Sequence, residues 1–236
     1  MRFSICARPG YLLAEISGRD TAAEMREFLI AVQAACREHG RPKILMRVTQ
    51  SRPVFKPEDY GLAGNMRGYV TDLVTPKCQV ALLGDTHELN AAHEYIEVVA
   101  RQQNVNVRAF SDEASALRWL QGEPEPERRY RFARLVLLGA PDVAGVYSLW
   151  DGEEIIYYGR AAGGPHGTIR ARLLEHFHGR LEPDTSRATH YSWEVCADPA
   201  AREAALLREF HALFGRAPRC NTAFSAPQHY SGGSQA

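Results

Sequence analysis

Tyr147, Tyr157, Arg172 and His176 are the side chains whose types and spacing could do chemistry on a phosphate ester. An arginine at position 172 offers planar donors that contact two phosphoryl oxygens and steady the charge that spreads during attack. His176 lies four residues on, so it projects from the same helical face and could donate a proton or bind phosphate. Arg170 is only two residues from Arg172 and occupies a different face. A tyrosine hydroxyl can orient a water. With an ordinary pKa of about 10 it acts as a base only with help from nearby cations or metal. The same residues also have plain structural uses: buried strand tyrosines, a solvated helix arginine and a surface histidine.

The elements that must position them lie in Gly145 to Arg172, GVYSLWDGEEIIYYGRAAGGPHGTIRAR. Two apolar-aromatic runs flank Asp151-Gly152, which predicts a β-hairpin. A glycine-rich loop, Gly163 to Gly167, follows, and Thr168 is an N-cap for the helix that carries Arg172. A two-residue Asp151-Gly152 turn would set Tyr147 opposite Ile156 and send Tyr157 to the other face of the sheet. A shared site needs both tyrosines on one face. The expectation is therefore an odd loop, such as Asp151-Gly152-Glu153, or a bulge, with Tyr147 paired to Tyr157.

The order of Gly-Val-Tyr, Tyr-Tyr-Gly, glycine-rich loop, Arg-Leu and His resembles the GIY-YIG nuclease superfamily over about residues 135–222. The resemblance implies an α+β domain with a small central sheet flanked by helices. It implies a metal-dependent endonuclease that hydrolyses DNA phosphodiester bonds with Mg²⁺ or Mn²⁺. Tyr147, Tyr157, Arg172, His176 and Glu209 take the catalytic positions, and Arg160 and Arg170 are substrate-binding candidates. Gly145, Gly159 and Asn221 take structural positions. For the metal carboxylate, counting back from Asn221 selects Glu209, whereas the Glu-Ala near the start of the same helix selects Glu203; Glu194 is a third candidate. Six residues separate Glu203 from Glu209, about 240° round a helix, so one site does not easily use both. The alternative is a protein that keeps this fold for nucleic-acid binding or scaffolding without turnover.

The 236 residues suit one large or two small domains, with 24% charged and 45% hydrophobic side chains and no net charge. Overall charge thus makes no case for nucleic acid. From residue 128 onward, 13 arginines and no lysines stand against 11 acids, a surplus of two. The five cysteines are odd in number and not closely spaced, which suggests neither a disulfide framework nor a zinc site. No apolar run approaches the ~18 residues of a membrane span, and Arg8-Pro9-Gly10 interrupts any leader-like core. The expectation is a cytoplasmic protein with reduced thiols and no membrane partner.

Residues 1–121 alternate strand and helix patterns: strands over 11–16, 43–49, 79–83 and 106–110, and helices over 21–39, 57–69 and 88–103, then ALRWL, capped by Ser111. That alternation predicts a layered α/β domain. Its order, and the ending VRAFSDEASALRWL, resemble STAS-like, anti-sigma-factor-antagonist-like domains, which implies a regulatory protein partner or small ligand. Ser51, after the strand KILMRVT, is the position nearest to a phospho-accepting serine and equally reads as a loop residue. His87 and Glu88 read as capping or solvated residues. QGEPEPERR marks a Pro- and charge-rich linker, taken as 122–134, before a second domain over 135–224. A helix over 200–214 and a disordered tail over 225–236 complete the reading.

Overall fold

The computed structural model describes residues 1–40, 42–54, 78–124 and 127–221. The expected helix over 57–69 and the tail lie outside these residues. The chain is mixed α/β, with two sheets and six α-helices among the described residues. It divides into two compact units, 1–141 and 142–236.

The first unit begins with a strand that the periodicity did not reveal, β1 (Arg2–Arg8), joined to β2 (Tyr11–Ser17) by a tight turn. Nearly every β1 residue is exposed, so no alternation marks it. Helix α1 (Ala22–His39) starts at a capping box, with Thr21 Oγ1 accepting the Glu24 N–H and the Glu24 carboxylate accepting the Thr21 N–H. Strands β3 (Lys43–Thr49), β4 (Gln79–Gly84) and β5 (Asn106–Phe110) extend the sheet in the order β1-β2-β3-β4-β5. All but β1 run parallel.

The central strands are continuous apolar runs because both sheet faces are covered. Ile16, Ile44, Met46 and Leu82 join Phe28 and Val32 of α1 and Leu89 and Val99 of α2 (His87–Gln102) in one core. Leu13, Leu45, Ala81 and Leu83 meet Trp119 and Leu120 of α3 (Glu113–Gln121) in the other. One cap differs from expectation. Asp112, not Ser111, caps α3, because its carboxylate accepts the Ser115 N–H at 2.8 Å. Thr86 caps α2, and His87 lies beside Arg131.

The division between the units falls at 141/142, past the Pro- and charge-rich stretch. Arg128 and Arg131 ion-pair with Glu97 and Glu94 of α2. Beyond the short strand β6 (Tyr130–Arg131), α4 (Arg134–Leu138) lays Leu135 and Leu138 on the first core. These contacts hold residues 128–138 to the first unit.

In the second unit β7 (Gly145–Asp151) lies between β9 (His190–Glu194) and β8 (Glu154–Ala161), antiparallel to both, with β8 at the sheet edge. Helix α5 (Ile169–Phe177) follows β8, with Thr168 Oγ1 accepting the Ala171 N–H at 3.2 Å. A 3₁₀ turn over Pro183–Arg187 leads to β9. Helix α6 (Pro199–Phe214) begins at Asp198, which accepts from Ala201, and ends at left-handed Gly215. Among the described residues no helix is long and apolar enough to cross a membrane. All five cysteines are free thiols.

Candidate active site

The hairpin register decides whether the two tyrosines can share a face. Asp151 pairs with Glu154 across a two-residue Gly152-Glu153 turn, so the expected odd loop is not formed. A bulge supplies the change of parity instead. Trp150 pairs with Ile155 but Leu149 with Tyr157, which leaves Ile156 as the extra residue on β8. Tyr147 therefore pairs with Gly159, not with Tyr157. The tyrosines become diagonal neighbours on one face, with ring centroids 6.2 Å apart.

Gly159 makes this possible. A Cβ there would sit 2.5 Å from the Tyr147 ring and 2.6 Å from Tyr157, so any side chain would fill the space the rings occupy. At Gly145 a Cβ would run into the Glu194 carbonyl oxygen, so the close approach of β7 to β9 excludes a side chain there too.

Helix α5 lays His176 against both tyrosines, at 5.5 Å from the Tyr147 ring and 4.9 Å from Tyr157. His176 is fully buried and makes two hydrogen bonds, from Nε2 to Tyr147 Oη (2.9 Å) and from Nδ1 to Thr185 Oγ1 (2.7 Å). Proton counting assigns the directions. The single Thr185 hydroxyl proton goes to the Glu182 carbonyl at 2.6 Å. Thr185 Oγ1 must then accept, so Nδ1 carries the imidazole proton and Nε2 receives the one from Tyr147. Burial, reinforced by the Arg172 charge, pushes the His176 pKa down to about 4 and favours this neutral tautomer.

Both tyrosines are held protonated. Burial raises the Tyr147 pKa, with a further push from Tyr157 against the lowering influence of Arg172. Burial also raises Tyr157, and the charges of Glu182 and Glu203 add to it. Neither is a ready-made base. Arg172 leaves part of its side chain exposed and donates to Glu175 at 2.8 Å; its charge and hydrogen-bonding reach also bear on Tyr147.

The two candidate glutamates part company. Glu203 is half-buried, 3.3 Å from Arg160, and electrostatically coupled to Tyr157 and Glu182. Desolvation raises its pKa. Glu209 is well exposed and lies 3.7 Å from Arg202, which also holds Glu194. Arg170 pairs with Asp142 at 2.5 Å, off the tyrosine cluster, as its position in the helix implies. Asn221 clamps β8: its Oδ1 accepts the Tyr158 N–H at 2.9 Å and its Nδ2 donates to the Tyr158 carbonyl at 2.8 Å.

Glu182 and Thr185 belong to the cluster and carried no signal in the sequence. They sit in a polar loop without periodicity, and only the 3₁₀ turn brings them under His176. The Tyr157 hydroxyl donates to Glu182 Oε1 at 3.4 Å, and Oε2 is buried with no hydrogen-bond partner among the described residues. In the first unit, Ser51 Oγ donates to the Thr49 carbonyl and accepts the Arg19 N–H, so its hydroxyl is engaged in holding the loop.

The cluster thus presents two protonated phenols, a neutral imidazole whose Nε2 accepts the Tyr147 hydrogen bond, one arginine and two acidic side chains. Comparison of the chain with protein-family models, curated sequences and solved structures finds no match.

Proposed function

We propose that residues 142–221 form a GIY-YIG-type nuclease domain that hydrolyses DNA phosphodiester bonds, and that residues 1–141 are a STAS-like domain that binds a regulatory partner or ligand. The observation that carries the reading is the convergence of Tyr147, Tyr157 and His176 over Gly159, with Arg172 and Glu203 within electrostatic reach.

The donor set fits a hard divalent cation such as Mg²⁺ or Mn²⁺. Glu203 is a half-buried carboxylate, and Glu182 offers a buried oxygen that no protein group satisfies among the described residues. No group of three or more His, Cys, Asp or Glu residues gathers there among the described residues. That suits Mg²⁺, which keeps several waters and takes one or two carboxylates. When bound, such an ion lowers the pKa of water and neutralises phosphoryl charge. Glu203 replaces Glu209 as our candidate ligand.

The protein groups divide the remaining work. Tyr147 hands its proton to His176 Nε2 as its oxygen takes one from the attacking water, so no free tyrosinate is needed. Tyr157, anchored on Glu182, orients that water. Arg172 turns its guanidinium to the phosphoryl oxygens, where negative charge grows during attack.

The test is cleavage of supercoiled and branched DNA by the full chain, with Mg²⁺, Mn²⁺ or chelator, beside Arg172→Ala, Glu203→Ala and Glu209→Ala. Metal-dependent nicking that survives Glu209→Ala and fails in the other two variants is the expected result. Nicking that persists in Arg172→Ala removes the proposal. A second reading, binding without turnover, draws on the Arg160–Glu203 ion pair, which occupies the carboxylate the cation needs. DNA binding with no metal-dependent cleavage would select it.

A further inference from the structure

We infer that Arg19 and His93 form a binding site for a small oxyanion, a phosphate or carboxylate group, at the carboxyl ends of strands β2, β3 and β4. Ser17 pairs with Thr49 and Val48 with Gly84, so these parallel strands end together. Gly18-Arg19, Gln50-Ser51 and Asp85 leave the sheet side by side. This is the side on which open α/β sheets bind ligands.

The first observation is burial without partners. Arg19 is 3% exposed and His93 5%. Among the described residues, neither Arg19 Nε nor His93 Nδ1 has a hydrogen-bond partner. Buried charges are normally paired, and a buried unpaired donor carries its full desolvation penalty. Among the described residues the guanidinium makes one donation, from Nη2 to the Arg52 carbonyl.

No described carboxylate closes the account. Asp20 and Glu24 are the acids whose charge reaches Arg19. The Glu24 carboxylate is taken up by the Asp20 and Thr21 N–H groups at the start of α1, and Asp20 lies toward Arg52. Desolvation lowers the Arg19 pKa, and it lowers His93 to about 4 with help from the Arg19 charge. A buried guanidinium whose Nε–H has no partner among the described residues, and whose charge reaches a second buried, unpartnered nitrogen on His93, favours an anion.

The surrounding loop is braced. Gln50 adopts a left-handed backbone at φ 47°, unusual for a residue with a side chain. Asp85 holds its N–H at 2.8 Å and Ser17 donates to its side-chain oxygen at 3.3 Å. The Arg19 N–H is itself tied to Ser51 Oγ at 3.0 Å. The backbone that presents Arg19 is thereby fixed. The Nε–H of Arg19 supplies one donor, and we assign His93 the neutral tautomer that carries its proton on Nδ1, as a second donor to the same group.

The experiment follows the Arg19 Nε–H resonance of the full chain by NMR while inorganic phosphate, acetate or chloride is added at matched ionic strength. A saturable shift with phosphate or acetate, absent with chloride, is expected, and the more effective anion names the ligand class. Arg19→Gln and His93→Gln, checked for folding by their amide spectra, should weaken binding about tenfold or more, the loss of one charge-assisted hydrogen bond. Arg19→Lys keeps the charge without the fork and should weaken it too. No saturable shift with either anion, as when a buried water satisfies both donors, overturns the inference, as does unchanged affinity in folded Arg19→Gln. The readout is independent of DNA cleavage.

Discussion

The Tyr147 hydroxyl donates to His176 Nε2 at 2.9 Å, and both groups are almost completely buried. The proton therefore has a defined resting place on the phenol and a defined acceptor on the imidazole. Replacing His176 with Phe keeps the ring packing but strands the Tyr147 hydroxyl. We expect a loss of about 1–3 kcal/mol of stability, measured by urea unfolding, and a large loss of DNA nicking. Wild-type nicking by a folded His176→Phe protein would remove the proton relay.

The pKa of His176, about 4 against an ordinary 6.5, has a consequence for stability. Between these values the unfolded chain binds more protons than the folded one, so stability rises with pH. The contribution is complete above pH 6.5 and is lost as pH falls through about 4. The slope is about 1.4 kcal/mol per pH unit for one such group. His93 acts with the same sign over the same window. Denaturation curves at several pH values should show this slope, and His176→Gln and His93→Gln should each remove part of it. Equal stability at pH 4.5 and 7 would contradict both assignments.

Gly159→Ala should damage site and fold together. Its Cβ would meet both tyrosine rings at about 2.5 Å. Forced displacement in a packed core costs roughly 1–3 kcal/mol. We expect a lower melting temperature and loss of nicking; wild-type values of both would mean that the rings are not held over this glycine.

Asn221→Ala should loosen β8 at one point. It removes two hydrogen bonds to the Tyr158 backbone, each worth about 1 kcal/mol. Hydrogen exchange at the Tyr158 amide should speed up more than exchange at Leu149 in the strand beside it.

Glu182→Gln tests the residue that only the fold revealed. The amide keeps a partner for the Tyr157 hydroxyl but removes the negative charge that raises the Tyr157 pKa. The Tyr157 titration, followed by its own assigned ring-carbon NMR resonance in tyrosine-labelled protein, should move to lower pH. No movement would place Glu182 outside the electrostatic cluster.

Much of this arrangement was readable in the chain. Short apolar runs set between helical patterns marked most strands of the first unit, and the glycine at position 40 marked the end of α1. The demand that Tyr147 and Tyr157 share a face excluded the simplest hairpin. The bulge at Ile156 was not readable, since it reflects how β8 fits β7 as a whole and not the residues of the turn. Glu203 and Glu209 differ in helix phase, and only the packing of α6 against the sheet decides which one approaches Tyr157. Residues 128–138 stay with the first unit, although the half-buried Arg128–Glu97 and Arg131–Glu94 pairs look, in one dimension, like a solvated charged linker.

The clamp on β8 also bears on how this protein behaves in a crowd. As an edge strand, β8 offers free backbone groups on which another chain could form a ladder. The Cys220 N–H already occupies the Ile156 carbonyl, and Asn221 covers both backbone groups of Tyr158. Two residues far along the chain thus act as a stopper against self-association. A chain truncated before Cys220 would keep every residue of the tyrosine–histidine cluster and still be prone to aggregate.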